Sequence, residues 1–189
     1  MEQPDLDRYL DEVLIGGREQ SRISLSEYDP SWPARFEAER QRIEAALGRV
    51  ALGVEHIGST AVPGLAAKPI VDVLLIVADV DDEPSFLGPL EAVGYELRVR
   101  EPGHRMLRDH DRTVNLHVRG DADPEILLHL RFRDHLRRSP ADRRRYEQRK
   151  RALAAREWPD VNHYADAKGP VIESILARAA NPDEAPHSD

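Results

Sequence analysis

The chain of 189 residues contains no cysteine, which excludes disulfides, thiolate metal sites and cysteine nucleophiles. Aromatic residues make up only 5 % of it, so platforms for stacking nucleic-acid bases are scarce. No apolar run approaches the ~20 residues that a membrane-spanning helix needs. The acidic opening MEQPDLDRYLDEVL lacks the basic-then-apolar layout of a signal peptide, so no membrane partner is expected and the cytoplasm is the default location. Walker-type Gly-Lys-Ser/Thr and Gly-x-Ser-x-Gly motifs are also missing, which argues against a P-loop nucleotidase and a serine hydrolase.

What is present is a globular composition, 40 % hydrophobic and 33 % charged, of a size for one well-cored domain or one domain with a helical appendage. The net charge is −8, yet residues 131–156 hold eleven Lys and Arg against three acids. A basic helical face on an acidic body suits an anionic ligand, and it equally suits a solvated helix paired with that body.

The pattern of elements starts with an arm, residues 1–20, in which Leu6, Tyr9, Leu10, Val13 and Leu14 recur at helical spacing up to Gly16-Gly17. It would cap the fold or a partner. A helix begins at Asp29-Pro30-Ser31, carries the apolar stripe Trp32, Phe36, Ile43 and Leu47, and ends at Gly48. Strands are expected at about 52–57 and 69–77, the second apolar on both faces and therefore central. After an acidic turn at 79–84 comes a short helix, 86–93, and then three strands at 95–100, 104–108 and 112–119. From Asp123 the chain is helical: one helix to about 138, a second from 139 to 156, a third segment over 160–180 restarted by Pro170. The polar residues 181–189 form a tail. Divided this way, the chain has an arm (1–20), an α/β half (21–122), a helical half (123–180) and the tail (181–189).

Chemistry gathers between His56 and Val77. Gly58-Ser59-Thr60 can present backbone N–H groups and hydroxyls to phosphate oxygens, though a plain tight turn uses the same residues. Asp72 lies inside the most hydrophobic run, where a carboxylate needs a charged, metal or hydrogen-bonding partner. His117 shares the polar face of the last strand with Asn115 and Arg119, placed as a ligand or base, and His56 is a weaker candidate. In the helical half, Tyr146-x-x-x-Lys150 and Tyr164-x-x-x-Lys168 each set a phenol and an ammonium on one helix face. Arg133, between Ile126, Leu130 and Leu136, is expected to point inward, where it and the lysines would clamp phosphate or carboxylate or else satisfy the acidic body.

The stretch VEHIGSTAVPGLAAKPIVDVLLIV resembles the signature of the GrpB family, whose domains are also found fused to bacterial dephospho-CoA kinases. The resemblance extends through YDPSW, NLHV, FRDHLR and the Tyr/Lys pairs, over about residues 24–180. It implies an α+β nucleotidyltransferase fold like the polymerase-β palm, with a mixed sheet of about five strands in residues 21–122, flanking helices, and a C-terminal helical bundle. In that superfamily a glycine-serine turn holds nucleotide phosphates, and two acids one residue apart bind two divalent metals with a third acid on a later strand. Gly58-Ser59 match the turn and Asp72 the first acid; the second acid position is Leu74, and His117 lies where the third is expected.

These readings lead to one main expectation. A nucleotide or other phosphorylated ligand would sit between the two halves, cradled by Gly58, Ser59, Thr60 and Lys68. Asp72 and His117, with His56 as a weaker third, would hold Mg²⁺ or Mn²⁺ or serve in acid-base catalysis of nucleotidyl or phosphoryl transfer. Arg133, Tyr146, Lys150, Tyr164 and Lys168 would bind the substrate. The alternatives are a binding domain that has lost transfer chemistry, which Leu74 favours, and an RNA-binding module built on the basic helices, which the scarcity of aromatics disfavours. Oligomeric state is not legible.

Overall fold

The computed structural model describes residues 3–18 and 22–180; the expected tail lies outside them. Helix α1 (Gln3–Val13) is followed by α2 (Trp32–Leu47), β1 (Gly53–Ile57), β2 (Val71–Val77), α3 (Glu83–Ala92), β3 (Tyr95–Glu101), β4 (His104–Asp109) and β5 (Val114–Gly120). Four more helices complete the described chain: α4 (Glu125–Arg138), α5 (Pro140–Ala154), α6 (Val161–Asp166) and α7 (Gly169–Ala180).

Local chemistry sets the boundaries. The Asp29 carboxylate accepts the Ser31 N–H and turns the chain into α2, and Pro33 fits the first turn because its missing N–H has no partner to lose there. Gly48, at φ +53°, releases the chain at the other end. Helix α3 starts at Glu83, three residues before the expected 86, because Pro84 opens a helix rather than closing a turn. Strand β5 starts at Val114 rather than 112. The Asp109 carboxylate accepts from the N–H groups of Thr113 and Val114 and from the Thr113 hydroxyl, holding the turn closed up to that point. Asp160 caps α6 through the N–H groups of Asn162 and His163.

The sheet order is β1-β2-β5-β4-β3, with one parallel pairing, β2 with β5, and antiparallel pairings elsewhere. This is the expected α+β arrangement: a five-stranded mixed sheet with flanking helices. Strand alternation sorts the side chains. Val71, Val73, Leu75 and Val77 of β2 join Val114, Leu116 and Val118 of β5 on one face, buried with Trp32, Ile43 and Leu47 of α2 and Phe86 and Leu90 of α3. The other face carries Asp72, Leu74, Asn115 and His117. Over it, Ile126 and Leu130 of α4 pack on Ile57, Leu74 and Ile76. The loop after β1 is clamped from outside by Leu136, Tyr146, Val171 and Ile175, which bury its Val62 and Leu65.

The arm caps the fold. Leu6, Leu10 and Val13 are buried, Leu14 bridges Val99, and the Ile15 N–H donates to the Arg98 carbonyl, so the outer edge of β3 is covered. Leu75, fully buried at the centre of the sheet, gives the measure of the core. Leu75→Ala is expected to cost about 2–5 kcal/mol of unfolding free energy, read from urea denaturation at unchanged m-value.

Candidate functional site

Strand β1 ends at Ile57 and the chain reverses through Gly58, whose φ of +70° only glycine adopts without strain. The reversal places Gly58 directly against Asp72. A Cβ at this position would run into Asp72 Oδ2 and lie 3.0 Å from the Asp72 Cβ and carboxyl carbon. Asp72 is thus pinned on one side by backbone. On the other, Asn115 Nδ2 donates to its Oδ1 at 2.9 Å, and His117 Nε2 stands 3.9 Å from the same oxygen. Both partners come from β5, because the parallel register sets Asp72 beside Asn115 and Leu74 beside His117.

A histidine chain backs His117. Its Nδ1 is 3.1 Å from His104 Nε2, with the two rings stacked, and His104 Nδ1 is 2.5 Å from Glu101 Oε1. His129 of α4 closes the far side, its ring 6.3 Å from that of His117.

In front of Asp72 is a cavity of about 310 Å³, walled by the sheet, the 58–70 loop and the helices α4, α5 and α6. Gly58, Ser59, Thr60, Lys68 and Asp72 line it from the first half of the chain. His117 adds to it from β5, and Lys150, Tyr164 and Lys168 from the helical half. Lys150 Nζ donates to Ser59 Oγ at 3.0 Å and to the Ala66 carbonyl. Lys168 and Lys68 both lie over the Tyr164 ring, at 5.0 and 5.9 Å from its centroid.

Three residues expected at the site are placed elsewhere. His56 alternates to the opposite face of β1, where it stacks on Phe36 and bonds the Thr60 hydroxyl, so it does not join Asp72 as a ligand. Arg133 does point inward, but it is spent on Glu55, Asp134 and the His56 carbonyl, tying α4 to β1 rather than clamping a ligand. Tyr146 does not line the cavity; it is buried edge-on to Phe132, with Lys150 Nζ over its ring and Ser59 as its hydrogen-bond partner. Asn115 and His129 line the cavity without having been singled out. Asn115 was on the polar face of the last strand, and His129 falls on the same helical stripe as Ile126 and Arg133.

The electrostatics divide these groups. Burial alone would raise the Asp72 carboxyl, but His117, Asn115 and Lys168 together outweigh it and hold its pKa below the usual carboxylate value. Burial, then His117 and Arg119, push His129 down to about 4, so it is neutral at pH 7. Lys150 is pushed down to about 7 by burial and next by Lys168. Burial also lowers Lys168, with Asp72 acting against the shift. Asp72 is therefore a fixed anion, and Lys150 is poised to gain or lose a proton.

The donor set does not fit a two-metal centre. The second acid position is Leu74, fully buried under α4. Among the described residues no group of three His, Asp or Glu side chains is arranged to hold an ion. Asp72 and His117 offer two donors, beside lysines whose charge opposes a cation.

A mixed five-stranded sheet with flanking helices, and a glycine-serine turn set against an acid beside a cavity, define an α+β protein. The model of the family described as GrpB protein matches residues 22–178, and the chain belongs to the GrpB family. A UPF0157 protein of Halalkalibacterium halodurans is 49 % identical over 181 residues, covering 93 % of each chain. A dephospho-CoA kinase of Mycolicibacterium paratuberculosis is 30 % identical over 186 residues, covering 83 % of this chain and 46 % of that protein. The crystal structure of GrpB from Enterococcus faecalis is similar at a TM-score of 0.73 and 35 % identity, over 84 % of this chain and 100 % of that one.

The lowered pKa of Lys150 makes stability depend on pH. The unfolded chain keeps this lysine protonated up to about pH 10.4, whereas the folded protein does so only below about 7. Unfolded chains therefore bind more protons between these values, and stability rises with pH. Lys168 adds in the same direction. Between pH 7 and 9, below the range where tyrosines titrate, the unfolding free energy is expected to rise by about 1–3 kcal/mol, and by less in Lys150→Met. Urea midpoints across that range check it.

Proposed function

We propose that the cavity binds a nucleotide or another phosphorylated small molecule. One observation carries the reading: Lys68 and Lys168 converge on a single cavity with the Gly58-Ser59-Thr60 turn, against one carboxylate, Asp72. Lysines and turn amides are the groups that hold phosphate oxygens, and removal from water strengthens each of these contacts. The cavity, about 310 Å³, is of small-ligand size. Asp72 acts on Lys168 as its opposing charge. His117, on the same wall, offers a hydrogen bond to a sugar or phosphate hydroxyl.

The buried Leu74 supports a binding role over two-metal nucleotidyl transfer. The expected Mg²⁺ or Mn²⁺ therefore has no part in this reading, in which lysines neutralise the phosphate. Nor do the basic helices argue for RNA, since Arg133, Arg137 and Arg151 of that stretch already pair with Glu55, Asp134, Glu147 and Glu27.

Calorimetric titration with nucleoside mono-, di- and triphosphates and with inorganic phosphate, with and without EDTA, tests this. Binding is expected to survive EDTA and to weaken by about tenfold or more, about 1.4 kcal/mol, in Lys168→Ala. Binding that appears only with added Mg²⁺ or Mn²⁺ would place a cation at Asp72 and contradict the lysine reading. Absence of heat with every phosphorylated ligand would sink the proposal as a whole.

A further inference from the structure

The turn after β1 and helix α5 meet at a contact that ligand binding alone does not demand. Lys150 is 2 % exposed, and its Nζ sits over the Tyr146 ring, 3.0 Å from Ser59 Oγ. A second bond runs from Nζ to the Ala66 carbonyl. That carbonyl is itself fixed: the Ala66 N–H donates to Glu147 Oε2 at 3.4 Å, and neighbouring Ala67 exchanges two backbone hydrogen bonds with Ser26. The amine thus has a rigid anchor on one side and a serine hydroxyl on the other, and Ser59 lines the cavity.

We propose that Ser59 and Lys150 form a nucleophile–base dyad that hydrolyses an ester of an anionic small molecule. The anionic character of the substrate rests on the phosphate-binding reading; the dyad stands on its own geometry. A neutral lysine keeps an N–H for Ala66 and offers its lone pair to the Ser59 O–H, which is the hydrogen bond a general base needs. The surroundings favour the neutral form. Burial and the cations Lys168 and Arg151 act against a charge on Lys150, while Glu147 and Asp72 act for it. The missing Gly-x-Ser-x-Gly motif excludes a nucleophile elbow, but a base supplied from a separate helix requires no such motif.

The chemistry balances with water as the second substrate. As Ser59 Oγ bonds to the ester carbonyl carbon, its proton passes to Lys150 Nζ. The carbon–oxygen bond to the alcohol then breaks, and the leaving oxygen takes that proton. Water, deprotonated by Lys150 Nζ, next attacks the acyl-serine carbon; the bond from that carbon to Ser59 Oγ breaks, Oγ takes the proton from Nζ, and the carboxylic acid is released. Lys168 and Lys68, which line the same cavity, would hold the anionic part of the substrate.

The test is labelling of the full chain with a fluorophosphonate probe, the adduct being located by peptide mass spectrometry. The expected adduct is on Ser59, is absent in Ser59→Ala, and forms about 100-fold more slowly or worse in Lys150→Met. In the unaltered chain the labelling rate is expected to rise with pH to a plateau, with a midpoint near 7. This profile needs no variant to fold. No adduct, an adduct on another residue, a flat pH profile or an unaffected Lys150→Met would each overturn the dyad. Nucleotide binding without labelling would leave the binding reading standing alone, and labelling without nucleotide binding would do the reverse.

Discussion

The contact between the Asp72 carboxylate and the backbone of Gly58 is the constraint on which the rest of the site depends. A charged side chain on the face of a central strand must be compensated. Compensation comes from Asn115 and His117 on the neighbouring strand and from the field of Lys168. Gly58 can lie flat against the carboxylate only because it lacks a Cβ and accepts a positive φ. The turn that results carries Ser59 to Lys150 and leaves the 58–70 loop as one wall of the cavity.

From that fixed anion Lys150 and Lys168 acquire different characters. Lys168 feels Asp72 as its opposing charge, while Lys150 feels Lys168 first, as a repelling one. One lysine is thereby suited to hold an anion, and the other to exchange a proton near neutrality. The same fold that in its resemblance implies two metal ions has Leu74 at the second acid position, where Ile126 and Leu130 bury it. Cation-based and lysine-based neutralisation are alternatives, because ammonium groups beside a lone carboxylate lower its hold on a divalent ion.

Much of this was legible in the chain because strand alternation is a hard rule. Asp72 against Val73, and Asn115 and His117 against Leu116, assign faces without any knowledge of the fold. The same rule applied to β1 would have turned His56 away from Asp72, since Ile57 is the residue paired with it. Helices are less explicit. The inward direction of Arg133 could be read from its spacing, but its use could not, because Glu55 lies 78 residues away and meets it only in the folded chain. The link from Lys150 to Ser59 spans 91 residues, and nothing local announces it. His129 belonged to a readable stripe, yet its nearness to His117 depends on how α4 crosses the sheet. Boundary differences at α3 and β5 came from side chains, Pro84 and Asp109, doing capping work that composition alone does not reveal.

The most direct measurement of the central constraint is a double-mutant cycle on unfolding free energy with Gly58→Ala and Asp72→Ala. In the unaltered background the added methyl meets both the backbone strain and the Asp72 carboxylate. In the Asp72→Ala background only the strain remains. Gly58→Ala is therefore expected to cost at least about 1 kcal/mol more with Asp72 present than without it. Strict additivity of the two substitutions would show that the turn does not lean on the carboxylate, and would contradict the account.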